Sequence, residues 1–222
     1  MYLRLGMAAC LVALSGCAGV ATGFVDRLTD IGAQPDATND GIRTLAALDS
    51  SVRVRGPEGY CIDQAASDAG SGFVVMAGCA LLSDEAVVMP QPDGLILVQF
   101  GDPETASVSG NEDVFATFLA SDRGRSVLAA NGDVASVAEV STIADRGAVL
   151  ARFEDKSGAN FEGTSGAQWR GFLDVQGRLT TVSVLSFDRN PLGASAGERL
   201  LVVAIAELAE INAPSVDVAI EN

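Results

Sequence analysis

Histidine is absent from this 222-residue chain, lysine occurs once, at Lys156, and there are only one tryptophan and two tyrosines. Without histidine the commonest general acid-base group and the commonest zinc ligand are both missing, so a zinc site or a histidine-dependent catalytic triad is excluded. The scarcity of lysine and a net charge of −15 exclude nucleic acid as a partner, since phosphate binding needs clustered cations. No apolar run reaches the roughly 20 residues that a membrane-spanning helix needs. What the chain does have is 48% apolar residues, enough for one substantial core.

The longest uninterrupted apolar stretch near the N-terminus, Leu5 to Leu14, follows Arg4 and ends in small residues. That is the layout of an export signal. The next residues, Leu14-Ser15-Gly16-Cys17, resemble the lipobox of bacterial lipoproteins. The resemblance implies that residues 1–16 are removed and that Cys17 is acylated, anchoring the chain to a membrane. Ala18, where an aspartate would retain the protein inside, favours the outer membrane, with the domain facing the periplasm of the cell envelope. The alternative is an ordinary signal peptide cut near Ala18 or Ala21, and either cut exports the domain.

Cys10 leaves with the signal and Cys17 goes to lipid, so two cysteines, Cys61 and Cys79, remain. In an oxidising compartment this pair forms a disulfide. It pins two strand-like segments, one around Tyr60 to Asp63 and one from Gly72 to Leu82. Residues 17–50 read as a tether because Gly19, Gly23, Gly32, Pro35 and Gly41 interrupt every apolar run, with at most a short helix from Ile42 to Leu48. Residues 51–212 form a single domain, and 213–222 a disordered tail.

Within the domain, Gly94 to Phe100 reads as a strand. Ser109 and Glu112 suggest a capping box for a helix bearing Val114, Phe115, Phe118 and Leu119 on one face, and Gly124 weakens its continuation. Four strands come next, at about 134–143, 148–154, 167–175 and 178–187, joined by turn residues such as Gln176-Gly177. Ala196 to Ile211 is a closing helix, with Leu201, Ala204, Ile205 and Leu208 on its buried face, Leu200, Val202 and Val203 widening it, and Glu207 and Glu210 opposite. The fold class is therefore α+β: a mainly antiparallel sheet with a four-strand meander, two packed helices and one disulfide. This order over about residues 52 to 212 resembles small PsbP/Mog1-like α/β domains, a fold that hosts unrelated binding and assembly roles. The segment Gly56-Pro57-Glu58-Gly59-Tyr60-Cys61-Ile62-Asp63 also resembles one in uncharacterised bacterial envelope proteins, which implies no activity.

Gly193-Ala194-Ser195-Ala196-Gly197 matches the pattern of a serine nucleophile on a strained turn. With no histidine to take its proton, Ser195 reads better as the cap of the closing helix, with Glu198 completing a capping box. Asp84-Glu85, Asp102 with Glu104, and Glu112-Asp113 offer paired carboxylates, which read as solvated loops or helix N-termini. Asp188, Asn190 and Gly193 begin a calcium-loop pattern that fails at Leu192 and Arg199. No metal or cofactor is expected. Tyr60 and Asp63 beside the disulfide, and Trp169 in the meander, are the candidate binding surface. Two functions stay open: a non-catalytic binding or assembly module with an envelope protein partner, and a periplasmic hydrolase using paired carboxylates or Ser195. Mass spectrometry of the N-terminal peptide is expected to show acylated Cys17, and Cys17→Ser to release the domain from membranes; an unmodified N-terminus at Ala18 or beyond contradicts the anchor.

Overall fold

A computed structural model describes residues 41–83, 88–158 and 161–214. The lipobox with Cys17, most of the tether, the pair Asp84-Glu85 and all but the first two residues of the tail lie outside the described residues. In chain order the elements are β1 (Thr44–Ala47), β2 (Val52–Arg55), β3 (Tyr60–Asp68), β4 (Phe73–Gly78), α1 (Cys79–Leu82) and β5 (Gly94–Phe100). Then come α2 (Glu112–Ala120), α3 (Asp122–Leu128), a single 3-10 turn, β6 (Val137–Asp145), β7 (Ala148–Asp155), β8 (Thr164–Val175), β9 (Arg178–Phe187) and α4 (Ala194–Ile211). No helix among the described residues is long and apolar enough to cross a membrane.

Seven strands form one antiparallel sheet in the order β3-β4-β5-β9-β8-β7-β6. The expected α+β class, the four-strand meander β6 to β9 and the Cys61–Cys79 bridge are all present. The meander is tight because both of its short joins are two-residue turns with positive φ at both central positions, Arg146-Gly147 and Gln176-Gly177. Such turns match the right-handed twist of the strands they connect and so fix the register.

Both sheet faces are covered, which is why its central strands are apolar on both sides. On one face α4 contributes Leu200, Leu201, Ala204 and Leu208 to a core with Ile62, Met76, Ile96 and Val184. The antiparallel ribbon β1–β2 closes the same side with Ala47, Val52 and Val54. Residues Ile42 to Leu48 are thus not a helix, and 41–50, expected to be part of the tether, belong to the folded unit. A four-residue strand holds its shape here because Arg55 pairs with Glu207 and Glu210 of α4, while Asn212 exchanges hydrogen bonds with the backbone of Arg53. Glu207, expected to face water, is half-buried in this clamp, while Glu210 pairs with Arg55 from the exposed side as expected.

The other face carries α2 and α3, where Leu119 and Leu128 pack on Val149, Phe153 and Phe172. Two helices occur where one was expected. Gly124 does not weaken a helix but starts the next: a Cβ there would fall 2.0 Å from the Phe118 carbonyl oxygen, so only glycine lets α3 turn back this tightly. The expected apolar face of α2 is rotated, with Phe115 and Ala116 beside Leu119 packed inward and Val114 70% exposed. Ser109 caps nothing; its amide, with those of Ser107 and Val108, donates to the Asp174 carboxylate, and Asn111 precedes the helix. In α4, Val202 and Val203 are also exposed, because the sheet takes only the stripe of Leu200, Leu201, Ala204 and Leu208.

The disulfide joins edge strand β3 to the first residue of α1 across a separation of 18 residues. Closing a loop of this size restricts the unfolded chain by about 3 kcal/mol. Urea unfolding followed by circular dichroism is expected to show that much loss on reduction, with the secondary structure retained in water; an unchanged midpoint would remove the disulfide from the stability of the fold.

Candidate functional site

The three residues expected to form a binding surface are all buried, with Tyr60 1%, Asp63 6% and Trp169 2% exposed. Tyr60 donates its hydroxyl proton to the Pro92 carbonyl at 2.7 Å and accepts from the Gly94 amide at 3.1 Å. Burial, partly offset by the Gly94 hydrogen bond, pushes its phenol well above the ordinary range. Asp63 accepts from the amides of Ala65 and Ala66, at 3.0 Å each, and so closes the bulge between Asp63 and Asp68 in β3. Both side chains hold the chain path at the sheet's β3 edge, where an exposed ligand contact is sterically closed. Asp63 also lies on the opposite sheet face from Trp169, and Tyr60 is four strands from it, roughly 19 Å at ordinary strand spacing. The structure does not bring these residues together.

Trp169 leads to a different site. One cross-strand row runs the width of the sheet on the α4 side: Ile62, Met76, Ile96, Val184, Trp169, Arg152 and Ser141, each opposite the next. The first four are aliphatic and covered. At Trp169 the helix crosses: Gly197 sits so close that a Cβ would fall 2.4 Å from the indole ring, and Gly171 next along β8 lies directly beneath Ile205. Because α4 packs chiefly on β8, β9 and β2, the row continues past its flank onto β7 and β6, whose surface on this side the helix leaves open.

A cleft of about 60 Å³ lies there. Its floor is Ser141 and Ile143 of β6, Leu150 and Arg152 of β7, and Trp169; its wall is Glu198 and Leu201 of α4. Two buried donors in the lining, Nε of Arg152 and Nε1 of Trp169, have no hydrogen-bond partner among the described residues. Every other half-buried arginine among the described residues has an acceptor: Arg55 has Glu207, Arg125 the Val137 carbonyl, Arg170 Ser183, and Arg178 the Gly101 carbonyl. Among the described residues Arg152 forms no ion pair, neither with Glu154, two residues along the strand, nor with Glu198 across the cleft. A buried donor left without a partner costs about 1–3 kcal/mol. The cleft therefore places a guanidinium with no acceptor among the described residues beside an apolar collar, an arrangement suited to an acceptor-rich group.

Sequence reasoning marked Trp169 but passed over Arg152. The signal was a cation within the apolar run Ala148 to Phe153, disguised by Glu154, which reads as its ion-pair partner on the same strand face. Ser195, the other expected site residue, is exposed in the first turn of α4 and caps nothing, because the helix starts at Ala194, two residues before the expected Ala196, and Gly193 occupies the cap position. With no histidine in the chain, no imidazole can activate its hydroxyl. Asp102 and Glu104 sit exposed in a loop, and Glu112 with Asp113 occupies the first turn of α2, where their charge suits the helix dipole. Among the described residues no group of three or more His, Cys, Asp or Glu is placed to hold a metal ion.

No protein-family model matches the chain, and no curated protein matches it. Among solved structures, it is similar to the crystal structure of the Saccharomyces cerevisiae Ran-binding protein Mog1p, with 9% identity, 76% of this chain and 90% of that chain covered, and a TM-score of 0.40. A likeness at this level carries neither site nor partner across.

The approach of Gly197 to Trp169 is the feature that locates the cleft. Gly197→Ala forces a methyl into the face of a rigid ring and is expected to cost about 1–3 kcal/mol. Urea unfolding measures the loss, and the emission of Trp169, the sole tryptophan, is expected to shift to the red as the helix lifts; unchanged stability and emission would show that the contact has slack.

Proposed function

We propose that this chain is a non-catalytic binding module of the bacterial cell envelope, tethered through acylated Cys17 and facing the periplasm, whose partner docks at the cleft beside α4. The observation that carries the reading is Arg152, a half-buried guanidinium that lines the cleft with no acceptor among the described residues, beside the indole of Trp169. Perturbed or unpaired polar groups converging in a cleft are the usual mark of a binding site. The surroundings suit recognition: Trp169 is locked by Gly197, β7 is held on both sides in the sheet, and the residues come from strands rather than loops, so the geometry is preformed. The lipobox supports the anchor, and its Ala18 supports the outer membrane.

A photo-reactive residue at Ile143, which is 51% exposed at the cleft floor, tests the site in intact cells. A reproducible crosslinked partner is expected from position 143. None is expected from the same residue placed at Val127 on α3, which is 57% exposed on the far side of the sheet. Equal crosslinking from both positions, or turnover of ester, peptide or glycan substrates that Ser195→Ala abolishes, would overturn the reading.

A further inference from the structure

We infer that the group bound in this cleft is a carboxylate; the inference rests on the binding-module reading and gives that site its ligand chemistry. Arg152 lines the cleft with no acceptor among the described residues, and it supplies a planar guanidinium whose fork matches the two oxygens of a carboxylate. Ser141, directly opposite Arg152 in the β6–β7 register, adds a hydroxyl on the outer side, and Trp169, opposite Arg152 on the inner side, adds its indole N–H. The three donors thus lie side by side across three adjacent strands.

The rest of the lining decides what the carboxylate is attached to. Leu150, its cross-strand partner Ile143 and Leu201 also line the cleft, so the adjoining part of the ligand is apolar. At about 60 Å³ the cleft has room for the carboxylate and a few carbon atoms, and the rest of a larger ligand would extend through its open side. A dianion such as a phosphate monoester fits poorly: one guanidinium is the only cation among the described lining residues, and Glu198 faces the same space. A monoanion is neutralised by Arg152 and held clear of Glu198. Two sources present the same chemistry, a small free carboxylic acid and the C-terminus of a peptide lying along the outer edge of β6, which has no strand neighbour among the described residues.

Trp169 is the sole tryptophan, so the full chain gives a single indole N–H cross-peak in an amide correlation spectrum. Titration with propionate to about 50 mM, well above a millimolar dissociation constant, is expected to move that peak downfield saturably. Propionamide, of the same shape without the charge, is expected to leave it in place. Arg152→Gln is expected to weaken propionate binding at least about tenfold, and Arg152→Lys, which keeps the charge but loses the fork, to weaken it as well, both with the circular-dichroism spectrum of the folded parent. Acetyl-Ala-Ala with a free carboxyl terminus binding more tightly than propionate, while its terminal amide does not bind, identifies a peptide end; equal binding of the two carboxylates identifies a small acid. Equal shifts with propionate and propionamide, or full binding by Arg152→Gln, overturn the carboxylate assignment. No shift with any carboxylate while crosslinking at position 143 persists also overturns it and leaves the binding-module reading standing.

Discussion

The seating of α4 on the sheet through two glycines is the constraint on which most of this molecule depends. Gly197 and Gly171 remove the side chains that would otherwise stand between helix and strands, so that Trp169 and Ile205 fill those spaces. A helix held at two such points cannot slide or rotate without driving backbone into an aromatic ring or a branched aliphatic chain, and cores pack too densely to absorb that. The direction of α4 is thereby fixed over β8 and β9. From it come the depth of the apolar core on that side, the placing of Glu207, Glu210 and Asn212 where they grip the β1–β2 ribbon, and the bare strip of β6 and β7 along the helix flank.

The opposite face solves the same burial problem by different means. There the covering elements are short, and carboxylates fasten them to the sheet. Asp174 takes three consecutive amides of the loop leading into α2, and Asp155 takes those of Ala130 and Ser157. Burial opposes the charge of Asp155, but hydrogen bonds from Ser157, Ala130 and Ser136 outweigh it and hold the carboxyl below its ordinary range. A depressed folded value means that its contribution is present above the ordinary carboxylate range, about pH 4, and is lost as pH falls through the folded value. Arg170, deep on this face, loses some basicity to desolvation, which the Asp155 charge partly offsets, and it donates to Ser183 while lying over the Phe153 ring. Its donors are used. Arg152, on the other side of the same sheet, differs in that respect, and the difference arises from where α4 ends its cover.

The parts of the fold written plainly in the sequence are those fixed by local periodicity and turn chemistry. Gly94–Phe100 and Arg178–Phe187 have the expected bounds, since apolar alternation ends at glycine or aspartate on each side. The misread parts depend on contacts distant in the chain. Thr44–Ala47 has no strand signal strong enough to outweigh its neighbours and is a strand because Val52–Arg55 pairs with it and β3 lies against it. Gly124 looks like a helix breaker until the approach of Phe118 and Leu119 is known. Ser195 with Glu198 has the letters of a capping box, yet the chain turns into the helix two residues earlier, at Gly193. The candidate site was half legible for the same reason: a lone tryptophan in a meander is conspicuous, but the isolation of Arg152 from Glu154 is a fact of side-chain geometry. Tyr60 and Asp63 were conspicuous for their polarity beside a cysteine, and that polarity is consumed by the backbone of their own edge.

Charge distribution separates Arg152 from the other cations. In a chain of net charge −15, an arginine on the surface works among acids and mobile ions, and an exposed ion pair is worth little, about 0–1 kcal/mol. Arg53, Arg123 and Arg199 are exposed in this way. At the cleft the guanidinium is half-buried among lining residues that include Leu150 and Trp169, and its field is screened less than at the surface. The acidic exterior repels anions at long range, and the donors act over the last few ångströms. Recognition at such a site is governed by fit rather than by steering: a ligand gains only when its two oxygens reach the fork together and its apolar part displaces water from Leu150 and Leu201. An anion that merely approaches meets the net field of the acids and leaves.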